Sequence, residues 1–92
     1  MTIHDFEVNY ATLYKDKSGV KLQFNPLHKK NTGSLITTNI NGFKIGGEYT
    51  LRSEWDNLYI TFGGNEYLIR PTEKGLNLII GQTECYNLVW DF

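Results

Sequence analysis

The sequence predicts an all-β domain, an antiparallel meander of seven or eight short strands closed into a small barrel, with a two-sheet β-sandwich as the alternative arrangement. Three observations predict it. Apolar and polar residues alternate with period two in run after run. The runs recur at roughly ten-residue spacing, separated by Gly, Asn and Asp clusters. No stretch carries an apolar stripe at helical spacing over three turns, so no helix longer than a single turn is expected. Closure also removes strand edges, which a chain with only two prolines has few means of blocking.

Composition agrees. Ninety-two residues make one domain, 1–92, whose core must be compact and well filled. Alanine occurs once, at Ala11, while Leu, Ile, Tyr, Phe, Thr and Val dominate, a profile that suits a pleated surface. The first residues have neither a basic start nor an apolar run, so no signal peptide is expected. No run approaches the length of a spanning helix, and no membrane association is expected. Cys85 is the single cysteine, which excludes an internal disulfide and any multi-cysteine metal site. The expected location is the cytoplasm. Abundant Asn, Lys, Ile and Tyr with little Ala and Arg suggest an AT-rich genome, such as that of a phage or mobile element.

In order, residues 6–15 alternate as a first strand, with Phe6, Tyr10 and Tyr14 inward. Asp16-Lys17-Ser18-Gly19 has turn chemistry. Residues 20–25 alternate with Leu22 and Phe24 inward, Pro26 ends the ladder or sits at an edge, and residues 28–33 read as a polar loop. Asn41-Gly42 is a hairpin signal, with Ile40 opposite Phe43 and Thr38 opposite Ile45. Gly46-Gly47 reads as a bulge, after which Tyr49 and Leu51 point inward. Residues 55–57 turn the chain into a hairpin over residues 58–71. A two-residue turn at Gly64-Asn65 there sets Phe62 against Tyr67, Ile60 against Ile69 and Leu58 against Pro71 on the core face. A four-residue turn at 72–75 sets Ile69 opposite Leu78 and Leu68 opposite Ile79. The final run places Tyr86, Leu88, Trp90 and Phe92 on one face.

The motifs of catalysis are absent. A nucleophile–base pair needs Cys85, Ser18, Ser34 or Ser53 to meet His4 or His28, and none of these sits in a nucleophile elbow. Glu54 and Asp56 are ordinary turn carboxylates, and Cys85 reads as a small apolar residue at a strand start. The glycine pairs do not open a helix as a phosphate cradle does. The expectation is a protein that is not an enzyme and has no catalytic, cofactor or metal residues. The many inward rings should fill the lumen, so no small-molecule ligand or cofactor is expected. Trp90 reads as core, its indole N–H bound to a carbonyl.

Two classes of function remain. The first is a small intracellular binding protein that occupies a macromolecular partner's surface, an inhibitor or accessory factor, or else a homodimer. The hairpin over residues 58–71 carries Tyr59 beside Arg70 and Thr61 beside Leu68 on its outer face, and Ile79 joins them from the next strand. Val89 and Leu13 are further outward candidates. A contiguous apolar patch across adjacent strands marks a contact surface. Trp55, at a turn, is either a plug for the barrel end or an exposed anchor for the partner. The alternative is nucleic-acid binding by the basic half, in which residues 15–44 hold six lysines and one acid. Its candidates are Lys15, Lys17, Lys21, His28, Lys29 and Lys30. The same charges can instead be a solvated surface. Tyr14 and Phe24, the aromatics near them, alternate inward and so offer no stacking platform.

Overall fold

Among the described residues eight antiparallel strands close in chain order into a barrel, the first pairing with the last. The computed structural model describes residues 1–38 and 44–91. The strands are β1 (Leu13–Lys15), β2 (Lys21–Lys29), β3 (Thr32–Thr38), β4 (Lys44–Glu54), β5 (Asn57–Phe62), β6 (Asn65–Thr72), β7 (Gly75–Ile80) and β8 (Thr83–Trp90). Successive connections alternate between two ends. The end holding the β2–β3, β4–β5 and β6–β7 turns is called upper here. Among the described residues no helix is long and apolar enough to cross a membrane.

The start of the chain corrects the expected first strand. Residues 3–10 are helical, as α1 (Ile3–Asp5) followed by a π-helical turn over Phe6–Tyr10, and only Leu13–Lys15 is strand. This is longer than the single turn expected. Thr2 and Asp5 form a reciprocal capping box that supplies the first orphan N–H groups with acceptors. Phe6 and Tyr10 lie inward as expected, because a spacing of four satisfies a helix as well as a strand. Val8, which a strand would also turn inward, is 61% exposed. Phe6 is fully buried and closes the upper end of the lumen. Its ring meets Phe24 and Tyr49 edge to face, at 5.6 and 6.2 Å between centroids.

β2 runs on through Pro26, which pairs with Gly33, to a register shift between Pro26 and Lys29. Residues 28–33 are therefore a hairpin rather than a loop. Lys30 and Asn31 both take positive φ, 53° and 57°, as a two-residue turn whose twist matches the flanking strands requires. β3 and β4 pair one residue away from the expected register, Thr37 with Ile45 and Thr38 with Lys44. Leu35 is consequently inward and Ile36 outward, because adjacent apolar residues left the face undecided. The Asn41-Gly42 turn, Ile40, Phe43 and the terminal Phe92 lie outside the described residues. Gly46 and Gly47 pair regularly with Ile36 and Leu35, so the expected bulge is absent there.

In the β5–β6 hairpin the turn is Gly63-Gly64, both at positive φ, rather than Gly64-Asn65. Ile60 pairs with Tyr67 and Leu58 with Ile69, two residues from the expected register. An even slip preserves the alternation of faces, so Leu58, Ile60, Tyr67 and Ile69 are all buried, whereas Pro71, expected on the core face, is exposed near the end of β6. β6 and β7 pair as expected, Leu68 with Ile79 and Ile69 with Leu78, across a tighter turn at residues 73–74. A register shift in β8 after Glu84 sets Cys85 apart, exposed rather than apolar core. Tyr14 pairs with Trp90 where the barrel closes. The Trp90 indole N–H donates to the Tyr14 hydroxyl at 3.1 Å, and that hydroxyl donates to the Tyr10 carbonyl at 2.6 Å.

Candidate protein-docking surface

Strand pairing, regular from β4 to β7 and shifted in register at β8, places one residue from each of five strands in a row across the outer face. Arg52 of β4 pairs with Tyr59, Tyr59 with Leu68, Leu68 with Ile79, and Ile79 with Glu84 of β8. Tyr59, Leu68 and Ile79 share the outer face, as expected, but the two-residue slip of the β5–β6 hairpin sets Tyr59 beside Leu68, where the expected register set it beside Arg70, and each is half-buried rather than fully exposed. Arg70, also on this face of β6, is exposed and paired to Asn77 in the ladder. Val89 and Leu13 do not extend the row. Lys15 opposes Val89, and Leu13 sits beside Asp91, whose N–H it accepts at 3.0 Å.

Arg52 explains part of the shielding. Its guanidinium lies 4.4 Å over the Tyr59 ring. It donates to both oxygens of Glu66, at 3.2 and 2.9 Å, and to Glu54. Glu66 foremost, then Glu54, hold the guanidinium more firmly protonated, and Arg52 in turn holds Glu66 below the ordinary carboxylate range. Alternation in the sequence singles out neither Arg52 nor Glu66, because the register that brings Arg52 to Tyr59 depends on the two-residue turn at 55–56.

That turn carries the most exposed large apolar side chain of the described residues. Trp55 is 95% exposed and so does not plug the barrel end. Its φ of 56° is a left-handed conformation that a bulky residue adopts rarely and at a cost of about 1–2 kcal/mol. Beside it a cleft of about 320 Å³ opens between the turn residues Ser53, Trp55 and Asp56 and residues 1–4. The cleft exists because the chain begins as a helix, so a strand reading could not locate it. The Thr2-x-x-Asp5 capping pattern was the signal available. Tip and row form one surface. Glu54 and Asn57 lie between Trp55 and the Arg52–Tyr59 pair on the same hairpin.

Ser53 and His4 line this cleft together, but the hydrogen bonds among the described residues include none between them. Glu54 is taken up by Arg52. Among the described residues no group of three or more His, Cys, Asp or Glu is placed to hold a metal ion.

The basic candidates are dispersed. Lys15 and Lys21 face each other across β1 and β2, and Asp91 sits between them at 3.7 and 3.2 Å. Lys17 is exposed in the turn below. Lys30 is at the opposite end of β2, which at about 3.3 Å per residue is roughly 30 Å from Lys21. The side chains of His28 and Lys29 lie outside the described residues. Tyr14 and Phe24 are buried, as expected, so this side presents neither ring to solvent. Comparison of the chain with protein-family models, curated proteins and solved structures returned no match.

Proposed function

We propose that this chain is a small binding protein that acts without catalysis by occupying the surface of a protein partner, with Trp55 as its principal anchor. The observation that carries the reading is the 95% exposed indole on a two-residue turn at φ 56°. A tight turn is served more cheaply by Gly or Asn, and a strained residue kept at a projecting tip points to use of its side chain. Trp, Tyr and Arg are the residue types that most often dominate interface energies, and Arg52 and Tyr59 are paired on the hairpin whose turn carries Trp55. A closed barrel holds that hairpin stiffly, so little ordering entropy is lost on binding. The adjacent, exposed Asp56 suits a partner whose rim is basic.

The test is capture from the source organism's lysate with wild type and Trp55→Ala side by side. A protein retained by the wild type and released by the variant, whose fold is intact by circular dichroism, supports the reading. Equal retention by both, or retention of nucleic acid in place of protein, overturns it.

A further inference from the structure

β6 presents Glu66, Leu68 and Arg70 to the outside at alternate positions, an anion, an apolar residue and a cation in one line. The sign of the charge reverses about Leu68. A second molecule turned by a two-fold axis perpendicular to β6 runs antiparallel to the first. Leu68 then meets Leu68, and each Glu66 meets the other copy's Arg70, roughly 7 Å to either side of the axis. From this pattern we infer that the outer face of β6 is a self-association surface, and that its occupant is a second copy of this chain.

Three further observations support the match. Tyr59 and Ile79 flank Leu68 in register, so the axis passes through an apolar row and not through a lone leucine. Arg70 is exposed and has no ion-pair partner among the described residues. Glu66 is already oriented by Arg52 through both oxygens, and its remaining lone pairs can accept a second guanidinium from outside. The arrangement also sets Arg52 opposite Arg52. Each is bracketed by its own Glu54 and Glu66, and two strands of eight carry the pair a quarter of the circumference away from the axis. Two convex barrels touch along a narrow strip, so the dimer is a weak one. Its antiparallel geometry directs the two Trp55 tips to opposite ends and makes the assembly bivalent. The inference does not depend on the role proposed for Trp55.

Sedimentation velocity of the wild type from about 1 μM to about 1 mM tests it together with two charge reversals, Arg70→Glu and Glu66→Lys. The wild type is expected to move with rising concentration from 10.6 kDa toward twice that mass. Each variant alone sets like charges against each other, and its dissociation constant should rise at least about tenfold. Mixed in equal amounts, the two variants restore both opposite-charge pairs, and a heterodimer should form within about threefold of wild-type affinity. A wild type monomeric throughout overturns the inference, as does unchanged association of Arg70→Glu. Failure of the folded mixture to associate does so too. Should Glu66→Lys fail to fold beside Arg52, Leu68→Glu provides the second variant. It places two carboxylates at the axis and must dissociate the dimer, and unchanged association there overturns the inference equally.

Discussion

The phenol end of Tyr49 lies against the Cα of Gly33, its cross-strand partner. A Cβ added at residue 33 would sit 2.2 Å from both the Tyr49 Cζ and its hydroxyl oxygen. Tyr49 is 1% exposed and packed edge to face on Phe6 and Phe24, so the ring cannot swing clear. Gly33→Ala should therefore cost about 3 kcal/mol in urea unfolding. In a Tyr49→Leu background, where the clashing ring is gone, the same change should cost under about 1 kcal/mol. Equal costs in both backgrounds would show that the close contact is not the cause.

The Tyr49 hydroxyl is buried without a hydrogen-bond partner among the described residues. Burial first, and the nearby Glu7 charge second, push its pKa from 10.0 up to about 12. Below pH 10 the phenol is protonated in both folded and unfolded chains. As pH rises from about 10 to 12 only the unfolded chain releases the proton, so stability falls by up to about 1.4 kcal/mol per pH unit. Tyr14 is raised chiefly by burial and adds a fall of the same sign. Tyr49→Phe should leave stability at neutral pH unchanged or raise it by up to about 1 kcal/mol, and make the alkaline loss shallower. Denaturant midpoints at pH 7, 10 and 11 check both parts.

Phe6 is the plug of the upper end, fully buried although it belongs to a helix of eight residues with no other buried member. Phe6→Ala should destabilise by about 3–4 kcal/mol, whereas Val8→Ala, at a position 61% exposed, should change stability by less than about 0.5 kcal/mol. Similar costs at the two positions would contradict the plug.

Which residues face inward was mostly legible, and the pairing of strands less so. Period two fixes a face without fixing a register. Leu58, Ile60, Tyr67 and Ile69 therefore reached the core although their hairpin slipped by two. Leu35 and Ile36 stand adjacent, and alternation has no means of choosing between them. At the start of the chain, Phe6 and Tyr10 fit both periods, and only Val8 and the Thr2–Asp5 cap distinguish helix from strand. The outward faces of Tyr59, Leu68 and Ile79 and the pairing of Leu68 with Ile79 could be read, but the place of Tyr59 beside Leu68 could not, since it depends on the turn at Gly63-Gly64. Arg52, Glu66 and the cleft beside Trp55 could not, since they depend on the exact turn and on the helix.

Trp55 holds a left-handed φ with 5% of its surface covered, so its side chain contributes little to the isolated fold. Trp55→Gly should leave stability unchanged or raise it by up to about 1 kcal/mol, the relief of strain being partly offset by the greater freedom of glycine in the unfolded chain. A loss above about 1 kcal/mol in thermal or urea unfolding would assign the indole a structural role instead.

The docking role of Trp55 is tested most directly by native mass spectrometry of the protein purified from its own source, beside Trp55→Ala prepared in the same way. The account predicts the 10.6 kDa chain together with a heavier species containing a second, different protein, and loss of that species in the variant. A heavier species that survives the substitution would contradict it. So would a chain that carries only a retained small molecule, or that appears with no other protein in either sample.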